Sequence, residues 1–246
     1  MNLDSSLTPA AFLASEEALL DATESGGPEV LCFWESARPF VAVGFGQSVE
    51  REVDLPACRA ANVPILRRHS GGGAVVQGPG CLNYALILRQ DTHPALGTVG
   101  ESNRWIMERN RRALQSVLGT AAVASVRGHT DLALRSADGV ERKVSGNAQR
   151  RRKSALLFHG TLLYSLESLG GESSLNLLRF PSLQPEYRGS RSHADFVSTI
   201  PSTASALTDA WKREWEALAP GLPPDSASVE ALVASRYALE SWNFRR

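Results

Sequence analysis

RRHSGGGAVVQGPGCLNYAL (Arg67–Leu86) joins a charged run to an apolar one through three consecutive glycines, Gly71 to Gly73. Residues without Cβ permit positive φ and let the backbone approach a ligand closely. Such a loop can wrap an acyl chain or offer N–H groups to a phosphate; the plainer reading is a sharp turn between strands. VPILRR before it and LNYALIL after it read as two buried strands with a ligand-facing connection. A second polar cluster, ERKVSGNAQ (Glu141–Gln149), followed by FHGTLL (Phe158–Leu163), favours the ligand-binding alternative.

Composition sets the class. A chain of 246 residues, 43% hydrophobic and 21% charged, is an ordinary globular protein, read as one domain over 1–246. The formal net charge of zero supplies no global field for nucleic acid, and the basic residues are scattered apart from Arg150, Arg151, Arg152 and Lys153. Cys32, Cys58 and Cys81 have neither metal-ligand spacing nor an even count, and no N-terminal apolar stretch suits a signal peptide or membrane span. These features point to the reducing cytoplasm, with no nucleic acid and no membrane as partner.

Thr8 before Pro9 has the form of an N-cap with proline at the first helical position, and Phe12, Leu13, Leu19 and Leu20 recur two turns apart, which predicts a helix over 9–22. EVLCFW (29–34) and PFVAVGFG (39–46) are short apolar runs joined by a polar turn and read as a hairpin. Over 101–118, Ile106, Asn110, Ala113, Leu114, Val117 and Leu118 follow helical spacing, and Gly119 stands at the C-terminal stop.

From 130 to 164 the chain reads as a three-stranded antiparallel meander: TDLALR, a turn at Asp138-Gly139, RKVSGNAQ, a basic turn at 150–153, then ALLFHGTLLY. Alternation puts Lys143, Ser145 and Asn147 on one face of the middle strand, with His159 and Thr161 sharing a face of its neighbour. A solvated sheet face is the plain alternative, but Gly146 inside the strand favours a site. The basic turn is either solvated or a docking point for an acidic partner.

In this order, RRHSGGGAV, GHTDL, KVSGNAQ and HGTLL closely resemble the catalytic domain of lipoate-protein ligases, within the biotin/lipoate ligase and transferase superfamily. GFGQSVEREVD and the closing RYALESWNFRR extend the likeness over most of the chain. The resemblance implies an α/β (α+β) fold with a mixed, largely antiparallel sheet flanked by helices. It also implies ATP-dependent activation of lipoate as lipoyl-AMP, with Mg²⁺, and transfer to a lysine of a lipoyl carrier domain. By motif, Lys143 would hold the carboxylate and α-phosphate oxygens, and Asp131 would lie near phosphate and Mg²⁺. Arg67, Ser70, Gly71, Gly72, Gly73, Ala74, Val75 and Gln77 would line the acyl tail and adenylate. Asn83, Ser145, Gly146, Asn147, His159, Gly160 and Thr161 would form the remaining wall. The chemistry suits a lysine, because a fixed ammonium offsets repulsion between two approaching anions.

Two positions depart from the family pattern: Gln77 stands where a histidine is usual, and Thr130 where an asparagine is usual. The chain stops just after Trp242-Asn243, where many such ligases continue into an accessory domain, so a separate accessory polypeptide is a candidate partner. An octanoyl or lipoyl transferase of the same superfamily is the nearest alternative. It would need a reactive thiolate near the lysine, and no cysteine follows Cys81, which reads better as a small buried residue at a strand start. A non-catalytic binder of lipoyl or acyl carriers is a third reading, supported by Gln77 and Thr130.

Overall fold

The computed structural model describes residues 1–135, 138–181 and 183–245. Part of the turn expected after TDLALR, and the last residue of the closing motif, lie outside these residues. The helices are α1 (Pro9–Glu24), α2 (Val49–Glu52), α3 (Leu55–Ala60), α4 (Val99–Leu118), α5 (His193–Phe196), α6 (Ala204–Glu214), α7 (Ser226–Leu232) and α8 (Glu240–Asn243). The strands are β1 (Val30–Trp34), β2 (Phe40–Val43), β3 (Ile65–Arg67), β4 (Val75–Gln77), β5 (Cys81–Arg89), β6 (Val123–Arg127), β7 (Asp131–Arg135), β8 (Glu141–Arg151) and β9 (Ala155–Leu163).

Six strands form one antiparallel sheet in the order β1-β5-β9-β8-β7-β6, and the expected β7-β8-β9 meander is its centre. A second sheet, β3-β2-β4, carries the parallel pair β2/β3, so the whole is mixed and largely antiparallel as expected. The expected hairpin of 29–34 with 39–46 does not form. β1 pairs with β5 in the large sheet, whereas β2 pairs with β3 and β4 in the small one. Both strands are buried throughout, so neither has the alternation that would have marked a shared face. Two strands escaped the sequence reading: β4, three residues inside the glycine-rich stretch, and β6, whose exposed Val123 leaves a weak pattern.

Helices cover both faces of the large sheet. Tyr84, Leu86, Leu132, Phe158 and Leu162 pack under α4 and α6 through Ile106, Met107, Leu114, Leu207 and Trp211. Ala85, Ile87, Cys32 and Leu157 pack on the opposite face against Phe12, Leu13 and Leu20 of α1, with Val229 and Tyr237 of the C-terminal segment. Double coverage explains why CLNYALIL is apolar almost without interruption, since each of its faces meets a helical layer. The helix ends follow local rules. Thr8 Oγ1 accepts from the Ala11 N–H at 3.2 Å with Pro9 at the first turn, and Gly119, at φ 56°, ends α4 where expected.

Candidate active site

One row of paired residues crosses the large sheet on the α1 face: Asp131, Gly146, Thr161, Asn83 and Trp34. At one strand spacing per step, this row is about 19 Å long. A cleft of about 720 Å³ lies over it, closed on one side by Gly72 to Val75 and on another by Leu183 to Glu186. Its charged end is at β7/β8 and its aromatic end at Trp34.

At the charged end, Lys143 Nζ lies 2.7 Å from Asp131 Oδ1, and the Tyr187 hydroxyl donates to Asp131 Oδ2 at 2.9 Å. Burial, then the neighbouring Asp131 charge, pushes the Tyr187 phenol up, so it stays a protonated donor. Regular alternation would not bring Lys143 to Gly146. The register of β7 against β8 slips between Leu132 and Ala133, leaving Val144 as an extra residue that packs into the core. This bulge puts Lys143 and Gly146 on the cleft face. A Cβ at Gly146 would stand 2.7 Å from Lys143 Nζ, so the glycine is the bed on which the lysine lies.

The same bulge corrects the expected common face of Lys143, Ser145 and Asn147. Ser145 pairs with Leu132 and Leu162 and is buried among them. Asn147 and Gly160 border the cleft, but the Asn147 side chain runs through to the other face. There its Oδ1 accepts from the Tyr84 hydroxyl at 2.6 Å, and its Nδ2 donates to the Thr130 carbonyl at 2.7 Å. Thr130 therefore serves the sheet: its hydroxyl donates to the Asn147 carbonyl at 2.6 Å.

Gly72, Gly73, Ala74, Val75, Gln77, Asn83, His159 and Thr161 all line the cleft. Ser70 does not; it is fully buried beneath the loop, with Oγ 2.6 Å from His159 Nε2. His159 Nδ1 is 2.5 Å from Glu16 Oε2, and Trp34 Nε1 donates to Glu16 Oε1 at 2.8 Å. Burial alone would raise the Glu16 carboxyl; His159 beside it and its hydrogen bonds prevail and hold it below the usual range. This buried chain fixes the loop to the sheet.

Arg67 also misses the cleft. Its guanidinium donates to the carbonyls of Gly44, Phe45, Gln47, Trp242 and Arg245, tying the C-terminal segment to the small sheet. Arg68, which the sequence reading passed over, is the arginine of the site. It lines the cleft and donates to the carbonyls of Ala42, Gly71 and Gly73 at 3.2, 2.7 and 2.8 Å, clamping the glycine loop. Burial pulls its pKa down to about 10. Gly72 has φ 86°, and a Cβ there would meet the Arg68 Nη2 at 2.8 Å, so this glycine is required by conformation and by space.

The basic run 150–153 is only partly a turn. Arg150 and Arg151 end β8; Arg151 donates to the Leu96 carbonyl at 2.6 Å, and Arg152 pairs with Asp21 on α1 at 2.8 Å. Glu16 and Tyr187 were missed because no motif contains them, and Trp34 and Arg68 because nothing local in EVLCFW or RRHSGGGAV marks which residue faces the cleft. Glu16 did carry a signal, a carboxylate one turn after Leu13 on the apolar stripe of α1.

All three cysteines are buried. Burial pushes the Cys81 thiol up to about 12, raises Cys32 further still and also raises Cys58. Among the described residues no group of three or more His, Cys, Asp or Glu is placed to hold a metal ion, and no helix is long and apolar enough to cross a membrane.

A cleft pairing an ammonium with a glycine loop, on a sheet of this topology, defines a biotin/lipoate ligase-like fold. The bipartite lipoate-protein ligase of Thermoplasma acidophilum superposes with a TM-score of 0.77 at 22% identity, covering 99% of this chain and 94% of that one. A lipoate-protein ligase A bound with ATP gives 0.76 at 22% identity, over 99% and 96%. The sequence profile of the lipoyl protein ligase A/B catalytic domain matches residues 8–210, and the chain belongs to that family. Curated relatives with transferase names are among its matches. The octanoyltransferase LipM of Geobacillus kaustophilus is 28% identical over 99% of this chain and 97% of its own length, and that of Kyrpidia tusciae 29% over 96% and 95%. The protein is thus an enzyme of a lipoylation family, and these names favour the transferase alternative over the ATP-dependent ligase reading.

Proposed function

We propose that this chain transfers an acyl group of the octanoyl or lipoyl type to the lysine amine of a lipoyl carrier domain, without an acyl-cysteine, from an acyl-adenylate formed with ATP. The observation that carries this reading is the state of the thiols. No cysteine lines the cleft, and all three are buried with raised pKa values. A thiolate, not a thiol, is the attacking species, so the burial of all three thiols away from the cleft supports a route in which the amine takes the acyl group from a donor that is already activated.

In the first step a carboxylate oxygen attacks the α-phosphorus and pyrophosphate leaves. Lys143, lying between Gly146 and Asp131 on the cleft floor, holds both anions and stabilises charge developing on the phosphoryl oxygens. In the second step the carrier amine attacks the acyl carbon, AMP leaves and the amine gives up a proton. Positioning matters more than activation here, because the mixed anhydride is already electrophilic. Each Asp131 oxygen has one partner and retains a free lone pair, so Asp131 would hold Mg²⁺ together with phosphate oxygens. Magnesium commonly binds through one or two carboxylates and its substrate phosphates; it would add a Lewis acid at the phosphoryl group.

The relatives' names support a second reading, octanoyl transfer from a carrier thioester. In this chain that would be direct aminolysis of the thioester, with Lys143 polarising the carbonyl. The test is a lipoyl domain with free octanoate or lipoate plus ATP, against the same domain with octanoyl thioester and no ATP. Amide formation with AMP release only in the first mixture supports adenylation. Amide only in the second supports transfer from the thioester without adenylation, and none in either contradicts both.

A further inference from the structure

Beside the middle of the cleft floor, a short chain of amides and a hydroxyl ends in an atom with nothing to bond. The Cys81 carbonyl can only accept, so Asn83 faces it with Nδ2, which donates at 3.1 Å. Asn83 Oδ1 is then fixed as the acceptor for the Thr161 hydroxyl at 2.8 Å. With its proton committed, Thr161 Oγ1 accepts from Gln77 Nε2 at 2.5 Å. The remaining atom, Gln77 Oε1, is buried and has no hydrogen-bond partner among the described residues. Gln77 is 5% exposed, and Gln77, Asn83 and Thr161 all line the cleft.

The orientation of the amide is thus set by the network, and the atom left over is an acceptor. A buried acceptor without a donor is costly, and buried polar groups without partners are uncommon enough to ask for a reason. A plain octanoyl tail offers no donor, and neither does a closed dithiolane. Thr161 pairs with Gly146, under Lys143, and Asn83 lies one strand further. Gln77 therefore borders the cleft about 5–10 Å along the row from the charged end, where the body of an acyl chain with its carboxyl at Lys143 would lie.

We propose that Gln77 is a specificity-determining residue that selects acyl groups carrying a hydrogen-bond donor along the chain, either a hydroxyl or the thiols of an opened dithiolane. This rests on the proposed acyl occupancy of the cleft and names its substrate class. A hydroxyl satisfies Oε1 fully, and a thiol, a weaker donor, partly. Sites built around a buried hydrogen-bonding group reject analogues lacking the partner much more strongly than apolar pockets reject a missing methylene.

The test is calorimetric binding of octanoate, lipoate, dihydrolipoate and a set of monohydroxylated octanoates to the full chain and to Gln77→Leu. Gln77→Met serves if the leucine variant does not fold. The best hydroxyoctanoate is expected to bind the unaltered protein roughly tenfold tighter than octanoate, with dihydrolipoate between them. Gln77→Leu should erase that preference and bind octanoate at least as well as before. Equal binding of all acids to the unaltered protein, as an ordered water on Oε1 would give, overturns the inference and leaves the acyl site standing. A preference that survives Gln77→Leu also overturns it, and no binding of any acid removes the acyl reading as well.

Discussion

Lys143 Nζ sits 2.7 Å from Asp131 Oδ1, a contact produced by a bulge that displaces Val144 into the core and by a glycine at 146 that leaves room for the ammonium. The charge is therefore held in place before any substrate arrives, which is what electrostatic stabilisation of a transition state requires.

Lys143→Ala should lower acyl transfer by about 10²–10³-fold, the scale of losing one preorganised charge donor. Its circular dichroism should be unchanged, because a half-exposed cleft side chain is removed and not a core one. Lys143→Arg should fail nearly as badly, since a planar fork does not fit a bed shaped for a point charge. Transfer rates within threefold of the parent for either variant would contradict this role.

Gly146→Ala tests the bed itself. The new methyl would meet Nζ at 2.7 Å, and the flexible lysine would move aside while the fold persists. The expected result is a lowered kcat with a thermal midpoint close to the parent, read from steady-state kinetics and a melting curve.

His69 links stability to pH. It is buried, its Nδ1 lies 3.3 Å from the Tyr237 hydroxyl, and burial, followed by repulsion from His159, lowers its pKa from 6.5 to about 3. The folded state thus excludes a proton that the unfolded chain takes up below pH 6.5. Its contribution is complete above that value and is lost as pH falls toward 3. From pH 6.5 to 5 the loss is about 2 kcal/mol. Chemical denaturation at both pH values should show it, and His69→Gln should flatten that dependence.

Glu16 is a buried charge held by partners. Removing one partner of a buried pair leaves the other uncompensated, at a cost of about 3–5 kcal/mol. Glu16→Ala should lower the unfolding free energy from chemical denaturation by that amount, since His159 and the Trp34 N–H both lose their acceptor. A neutral effect would mean that the Glu16–His159–Ser70 chain does not fix the loop.

Much of the architecture was legible in the sequence because it depends on local patterns. Thr8-Pro9 gave the start of α1, Gly119 the end of α4, and the segment 130–164 the central meander. The β1–β2 pairing failed because uniform burial erases the period that assigns a strand to its sheet, and the partners of β1 and β2 lie far along the chain. At the site, residues in the motifs were found, but their directions were not always right. A single bulged residue reversed Ser145 and Asn147 relative to Lys143. Arg67 and Arg68 are adjacent and chemically alike, and only the tertiary path of the chain decides which one holds the glycine loop.

The central claim, transfer without a covalent acyl-enzyme, is tested most directly by intact-protein mass spectrometry of samples quenched during turnover with an acyl donor and carrier domain. The account predicts an enzyme of unmodified mass at every time point while acylated carrier accumulates. An adduct of octanoyl or lipoyl mass on the enzyme, mapped to Cys81 or any other side chain and kinetically competent to reach the carrier, would contradict it.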